Sequence, residues 1–499
     1  MKYIHTLKII TRNIFRLLWK FLHRLPFIIE NFFRSLRKYL HITKVVTRNI
    51  LRLLWRNPKF TTILCLFIGV LVAISRYTDS ESVPEVEEEV SGNEYCLNKS
   101  LTNALSDDAN VVKMERYIRR WMAQNCIRGV SIAIMKDQKL VYCKGLGYAN
   151  KEEDLAVEAG HIFRIASASK LITAVGIMKL VDDGKLSLKD KVFGPEGILP
   201  QFTNLGDKRI KDITVRQLLD HTSGFSRQRG DPMFRTADIM KWEHMDKTPT
   251  ADQLIEFQLK MKLRDKPGRN PQYSNIGYLV LSRIIEQVSG QDYESYLKEH
   301  VLRPAGCYDM HLAHNYYEER YPNEVKYYGS SPKDVIVSYD GSGEKKLREY
   351  GGNNIRGLMG AGAWVASSAE LMRLVASVDG KPGVLDILSK KSVREMKRIR
   401  SKKDFALGWA RYHAREGALV RTGTMSGTCA SIELKERGLS FVFIGNTSHY
   451  TGPRFTNSIK LMMHTAMKNV KEWNTSRDLF VRPATDSTQI AAISTSDAS

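Results

Sequence analysis

Cysteine is sparse in this chain of 499 residues: six are present, and no two stand close enough to form a Cys-x-x-Cys pair. That spacing excludes a zinc ribbon and a redox dithiol. Cys65 falls in an apolar stretch, which leaves five behind it, and an odd number cannot all pair internally; a Cys96–Cys126 bridge is left open. Acid is almost missing from the beginning of the chain, where residues 1–59 carry 14 Lys or Arg against the single Glu30. That segment holds +13 of the formal net charge of +22, and the other +9 is spread over about 440 residues. No basic stripe interleaved with aromatics runs through those residues, so no nucleic-acid partner is expected. Apolar residues are not in short supply: at 43% they suffice for a sizeable core and exclude global disorder.

Long hydrophobic runs are also scarce. The one charge-free stretch that stands out is Phe60 to Ser75, sixteen residues rich in Leu, Ile, Val and Phe, with the basic residues crowded on its N-terminal side. It reads as a short transmembrane signal anchor over 60–75, near the lower limit of about 17 to 25 residues for a span, with Lys59 and Arg76 snorkelling. The competing reading is a buried helix of a soluble domain. The positive-inside rule then predicts a single-pass type II membrane protein whose catalytic domain is lumenal or extracellular. Within the basic arm at 1–59, Thr11-Arg12-Asn13-Ile14 with Arg16-Leu17-Leu18-Trp19 returns 36 residues later as Thr47-Arg48-Asn49-Ile50 with Arg52-Leu53-Leu54-Trp55. Each copy is a basic amphipathic helix suited to an anionic membrane face; a mitochondrial targeting segment has the same composition. Three Asn-x-Ser/Thr sequons, at Asn98, Asn446 and Asn474, are usable only in the translocated orientation.

Residues 79–90 contain six acids with Pro84, Ser80 and Ser82 among them, a composition that cannot bury enough surface to fold, so 76–109 is expected to be an acidic linker. The folded domain is expected over 110–469. Val111, Met114, Tyr117, Ile118 and Trp121 repeat at helical spacing, and the runs Val130 to Met135 and Leu140 to Tyr148 around Lys136-Asp137-Gln138-Lys139 predict a hairpin. A long helical region follows over about 166–400. Strand-like runs return at Phe405 to Tyr412 and Ala430 to Phe443, a last helix covers about 455–469, and the polar stretch 470–499 is expected to be a disordered tail.

In Ile165-Ala166-Ser167-Ala168-Ser169-Lys170 a hydroxyl and an amine stand three residues apart at the head of an apolar helix ending at Asp182-Asp183-Gly184, which puts both on one face. A serine needs a base to become a nucleophile, and a lysine serves only if burial lowers its pKa; Ala166, Ala168, Leu171, Ala174, Val175 and Met178 predict that burial. The helix N-terminus favours negative charge developing near Ser167. Ser-x-x-Lys recurs at Ser35, Ser295, Ser330 and Ser342, but only Ser167 heads an apolar helix after a hairpin. The plain alternative is an N-cap serine beside a solvated lysine. Tyr273-Ser274-Asn275 presents a phenol and an amide where a loop enters the helix Ile276 to Val288; the phenol can relay a proton and the amide can orient Lys170 or substrate. Alternatively Asn275 caps the helix and Tyr273 fills the core. Arg421-Thr422-Gly423-Thr424 reads as a strand with a permanent cation, a hydroxyl and a glycine that permits close approach.

Ser167-x-x-Lys170, Tyr273-Ser274-Asn275 and the Arg421-Thr422-Gly423 run stand in the order of the three signature motifs of serine β-lactamases and penicillin-binding proteins. With Ile213-Thr214-Val215-Arg216-Gln217-Leu218-Leu219, His221-Thr222-Ser223-Gly224 and Ile276-Gly277-Tyr278, the chain over about 110–468 resembles the class C β-lactamase and esterase branch, peptidase family S12, including animal LACTB-like proteins. The resemblance implies an α/β (α+β) fold of β-lactamase/transpeptidase type: an antiparallel sheet flanked by the terminal helices, with an inserted, mostly helical lobe. It implies an acyl-enzyme on Ser167, Lys170 as base, Tyr273 as proton relay and Asn275 as orienting amide. Arg421, Thr422, Gly423 and Thr424 would bind substrate, and the backbone N–H groups of Ser167 and Thr424 would form the oxyanion hole. It implies neither metal nor cofactor, and a peptide or small-molecule amide or ester as substrate. Arg421 stands where relatives place Lys or His, so charge is kept while any deprotonated role is lost. His221 is structural in relatives. The loop-rich stretch at about 315–350 matches the family poorly, which keeps a membrane-tethered scaffold without turnover as the alternative; a homo-oligomer is left open.

Overall fold

The computed structural model describes residues 96–331, 333–399, 405–413 and 416–481. The basic arm, the apolar stretch at 60–75 and the tail beyond 481 lie outside them. No helix among the described residues is long and apolar enough to cross a membrane.

Helix α1, Val112–Gln124, leads into strands β1, Gly129–Lys136, and β2, Lys139–Asn150. Asp137 and Gln138 both take positive φ, 49° and 65°, the two-residue turn whose twist matches a right-twisted hairpin. Short β3, Leu155–Ala156, extends β2, and β4, Phe163–Arg164, precedes helix α2, Ser169–Asp182. The inserted lobe contains helix α3, Asn275–Ser289, strand β5, His311–Leu312, and the hairpin of β6, Val335–Val337, with β7, Lys345–Leu347. After β8, Trp364–Ala366, and helix α4, Ser368–Ala376, the chain returns through β9, Arg411–His413, β10, Ala418–Met425, β11, Thr428–Lys435, and β12, Leu439–Gly445. Helix α5, Phe455–Met467, completes the order.

The main sheet runs β3-β2-β1-β12-β11-β10-β9 with every pair antiparallel. Pairing of β1 with β12 joins the two ends of the domain, Val130 opposite Gly445, so everything between is an insertion into one sheet. Alternate residues of β1 serve two cores. Val130, Ile132 and Ile134 face α1 and α5, where the Trp121 ring stacks on Phe455 at 5.2 Å and meets Phe443 edge-on at 6.0 Å; Ala133 and Met135 face the large core around α2 and α4. This is the expected antiparallel sheet flanked by terminal helices.

The folded unit is longer at both ends than the sequence pattern suggested. Leu97 and Leu101 enter the main core, and Ser106 Oγ both donates to the Cys143 carbonyl (2.8 Å) and accepts from its N–H (2.9 Å), so residues 97–106 belong to the folded unit and not to the linker expected over 76–109. At the other end Leu479 and Phe480 are buried and the Leu479 N–H donates to Leu140 O at 2.9 Å, which makes 470–481 part of the domain and not of a tail. Isolated apolar side chains anchor both segments, and isolated residues leave no periodic signal. Phe405 to Tyr412 is strand only from Arg411, and Ala430 to Phe443 is two strands turning between Lys435 and Leu439. Cys96 and Cys126 are both free, so the bridge left open is not made. Two of the three sequons are structural: Asn446 is fully buried, with Nδ2 donating to the carbonyls of Tyr148 and Lys326, and Asn98 is 8% exposed and donates to Asp309. Only Asn474 is exposed.

Candidate active site

Between β4 and α2 the chain turns through Ala166, a non-glycine residue at φ 48°, and a single 3-10 turn over Ala166–Ala168. An alanine in the left-handed region costs about 1 kcal/mol or more, and such strain persists only where surroundings over-determine the turn. Here the Ile165 N–H donates to Trp364 O (3.0 Å), the Trp364 N–H donates to Ser169 Oγ (3.1 Å), and Arg421 Nε donates to Ser167 O (2.8 Å). Gly423 of β10 lies against the same turn: a Cβ there would stand 2.1 Å from Ile165 O and 3.0 Å from the Ser167 nitrogen, so glycine alone lets the strand come this close. Ser167 is left half-exposed at the head of the helix.

Lys170 lies one turn below and is fully buried. Its Nζ approaches Asn275 Oδ1 at 2.7 Å, Ala361 O at 2.5 Å and Ser167 Oγ at 3.4 Å, and sits 5.0 Å and 5.4 Å from the ring centres of Tyr273 and Tyr278. Burial depresses its pKa from 10.5 to about 8, opposed by Tyr273 and reinforced by the Arg421 charge. The Tyr273 hydroxyl is 2.8 Å from Ser167 Oγ and accepts from Arg421 Nη2 at 3.1 Å. Burial pushes that phenol up, but the Lys170 and Arg421 cations outweigh it and hold it at about 8. The Tyr273 O–H thus donates to the serine oxygen from 2.8 Å, closer than Lys170 Nζ at 3.4 Å.

Asn275 is the first residue of α3 but not its cap; Ser274 Oγ accepts the Gly277 N–H at 3.1 Å and fills that place. The amide is free to bridge: Oδ1 faces Lys170 and Nδ2 donates to Asp231 Oδ2 at 2.7 Å. Asp231 was missed by sequence reasoning. It stands 44 residues before Asn275 in a turn, its other oxygen accepts the Met233 N–H at 3.1 Å, and no motif spacing marks it. The Ala361 carbonyl was missed for the same reason.

Ser167, Lys170, Tyr273, Asn275, Arg421 and Gly423 therefore converge. Thr422 does not: it lines a separate cavity of about 190 Å³ with Arg411, Ser431, Arg454 and Lys460 on the α5 side of the sheet. Alternation along β10 sends the Thr424 side chain the same way, leaving only its backbone toward the site. Arg421 is fully buried, and its Nη1 has no partner among the described residues. His221 is a buttress: its Nδ1 accepts the Ser274 N–H at 3.1 Å, its ring packs 4.6 Å from Tyr273 and from Phe405, and burial beside Arg421 and Lys170 keeps its pKa well below 6.5. Among the described residues no cluster of metal-ligating groups adjoins Ser167. The one such group among the described residues, Glu416, Glu433 and His464, also contacts Lys435 and Lys460.

A family model described as Beta-lactamase matches residues 114–461. The putative penicillin-binding protein PbpX of Bacillus subtilis (strain 168) is 26% identical over 333 residues, 66% of this chain and 73% of its own. Protein flp of Staphylococcus aureus (strain MW2) is 29% identical over 193 residues, 38% of this chain and 36% of its own, so the chain spans about a third of that relative. Among solved structures, the octameric penicillin-binding protein homologue from Pyrococcus abyssi matches with TM-score 0.53 and 26% identity over 72% of this chain and 78% of that one. D-amino acid amidase from Ochrobactrum anthropi SV3 matches with TM-score 0.55 and 23% identity over 73% and 99%.

Proposed function

Because the chain belongs to the beta-lactamase family, we propose that it is a serine hydrolase cleaving an amide or ester through an acyl-enzyme on Ser167. The observation that carries this reading is the cluster in which Ser167 Oγ meets the Tyr273 oxygen at 2.8 Å and Lys170 Nζ at 3.4 Å, with Arg421 Nη2 3.1 Å from the Tyr273 oxygen.

Lys170 Nζ has three acceptors around it, the number an ammonium satisfies. The Tyr273 O–H donates to Ser167 Oγ and its oxygen accepts an N–H from Arg421, and the lowered pKa of this phenol eases loss of that proton. Tyr273 is accordingly the immediate base, and Lys170 is the charge that keeps it one. Ser167 Oγ attacks the carbonyl carbon as its proton passes to the Tyr273 oxygen. The oxyanion is held by the N–H groups of Ser167 and Thr424. The C–N or C–O bond then breaks and Tyr273 returns the proton to the leaving group; a water repeats the sequence in reverse to free Ser167. Asn275 holds the ammonium in line, and Arg421 ties the phenol to the nucleophile turn.

A fluorophosphonate probe applied to the full chain should label Ser167, with labelling lost in Ser167→Ala while circular dichroism stays unchanged. A folded protein that neither labels nor hydrolyses chromogenic esters would sink the reading.

A further inference from the structure

The lip of the site is fastened to the candidate catalytic residues at two points. Arg227 donates to the Tyr273 carbonyl, and the Asp231 carboxylate accepts from Asn275 Nδ2. Between this lip and the short helix Thr236–Trp242 opens a basin of about 600 Å³ lined by Gln228, Arg229, Gly230, Arg235 and Trp242. Its floor is aromatic: Trp242 is 40% exposed on one side, and its ring stacks on Phe257 at 5.9 Å and 12°. The Arg229 and Arg235 guanidinium carbons stand 5.8 Å and 5.5 Å from the Trp242 ring centre.

The charges around this basin do not cancel. Arg235 is paired with Asp238, but Arg227 and Arg229 have no carboxylate partner among the described residues. The one acid of the lip, Asp231, spends both oxygens on Asn275 and Met233. Lys170 and Arg421 add positive charge immediately behind it. Guanidinium groups held over an indole face are partly pre-ordered, lose less freedom on binding and present a planar fork that fits a carboxylate. A cleft lined by one sign of charge also concentrates ligands of the other.

We propose that this basin is a substrate subsite for a carboxylate, so that the preferred substrates of the Ser167 centre are esters or amides bearing an acidic group. The proposal rests on the hydrolase reading above, and its test separates the two. Hydrolysis is compared within two matched pairs of chromogenic esters: 4-nitrophenyl hydrogen glutarate against 4-nitrophenyl valerate, and 4-acetoxy-3-nitrobenzoate against 2-nitrophenyl acetate. In at least one pair kcat/KM should be about tenfold or more higher for the anionic member. Arg229→Ala and Trp242→Ala should each bring that ratio toward one, as should raising the salt from about 50 to 500 mM, because the attraction is screened. Independently of turnover, tryptophan fluorescence of Ser167→Ala should titrate with glutarate and not with glutaramide, and the response should be lost in Ser167→Ala/Arg229→Ala. Equal rates within both pairs, or no titration by glutarate, overturns the subsite while leaving the hydrolase intact. Failure of every ester and of probe labelling, with glutarate still titrating, overturns the hydrolase reading instead.

Discussion

Replacing Asp231 with alanine removes the only acceptor that Asn275 Nδ2 has among the described residues. Asn275 is 8% exposed, so little water can take its place. An orphaned buried donor costs about 1–3 kcal/mol. The amide can escape by rotating end for end, but its NH2 then meets the Lys170 amine, donor against donor, and Lys170 Nζ loses its 2.7 Å acceptor. Either way the amine beside Ser167 shifts or tilts. If the whole penalty is felt on the way to the acyl-enzyme, the labelling rate falls about 5- to 150-fold. Asp231→Asn keeps an acceptor in place and should lose less. Charge supplies a second readout. Asp231 favours the protonated form of Lys170, so removing it lowers the amine's pKa and moves the high-pH limb of the rate profile downward in both variants. A merely structural role would lower the rate without moving that limb. Second-order labelling by a fluorophosphonate between pH 6 and 10 measures both. An Asp231→Ala protein that labels at the wild-type rate with an unmoved profile refutes the link from Asp231 through Asn275 to Lys170.

Arg421→Gln takes away one of the cations that lower the Tyr273 pKa, so the low-pH limb of the same profile should move to higher pH; an unchanged limb argues against a phenolate base. Gly423→Ala drives a methyl to within 2.1 Å of Ile165 O and should abolish labelling while the rest of the fold survives, as a thermal melt with a retained cooperative transition would show. Lys170 and Tyr273 both titrate at about 8 in the folded protein, below their unfolded values. Between about pH 8 and 10 the unfolded chain binds more protons, so these two groups make stability rise with pH there, and urea midpoints at pH 7.5 and 9.5 should show less of that rise in Lys170→Met. Glu370 has the opposite sign. It is fully buried and its pKa is raised to about 8 by burial, so its contribution is present in full below about pH 4.5 and lost as pH climbs through 8; Glu370→Gln should flatten that decline.

The sheet and its flanking helices were legible because each carries a period: helical spacing from Val111 to Trp121, alternation in β1 and β2, and the turn at Asp137-Gln138. The stretches read wrongly have no period to offer. Leu479 and Phe480 dock as a pair, and Ser106 mimics a strand through one hydroxyl. In the site, Ser167 and Lys170 were legible because one helical turn connects them, and Tyr273, Asn275 and Arg421 because the family's motif order carried them. Thr422 was misplaced because a motif string does not say which of its residues face the groove; the pleat of β10 does.

The charge of Lys170 is the instructive case. An apolar helix predicts a desolvated amine and therefore a neutral one, and burial does push in that direction. The opposing contacts come from distant positions: Asn275 Oδ1 is 105 residues away and Ala361 O 191 residues away, and neither announces an acceptor in the sequence. Three acceptors around one nitrogen are what an ammonium requires, and the adjacent phenol, fed by Arg421 Nη2, is what such an ammonium stabilises as an anion. Burial thus lowers the pKa of the lysine, while the charges of Lys170 and Arg421 lower that of the phenol. On the mechanism proposed above, the oxygen closest to Ser167 takes its proton, and the lysine acts by keeping that oxygen ready.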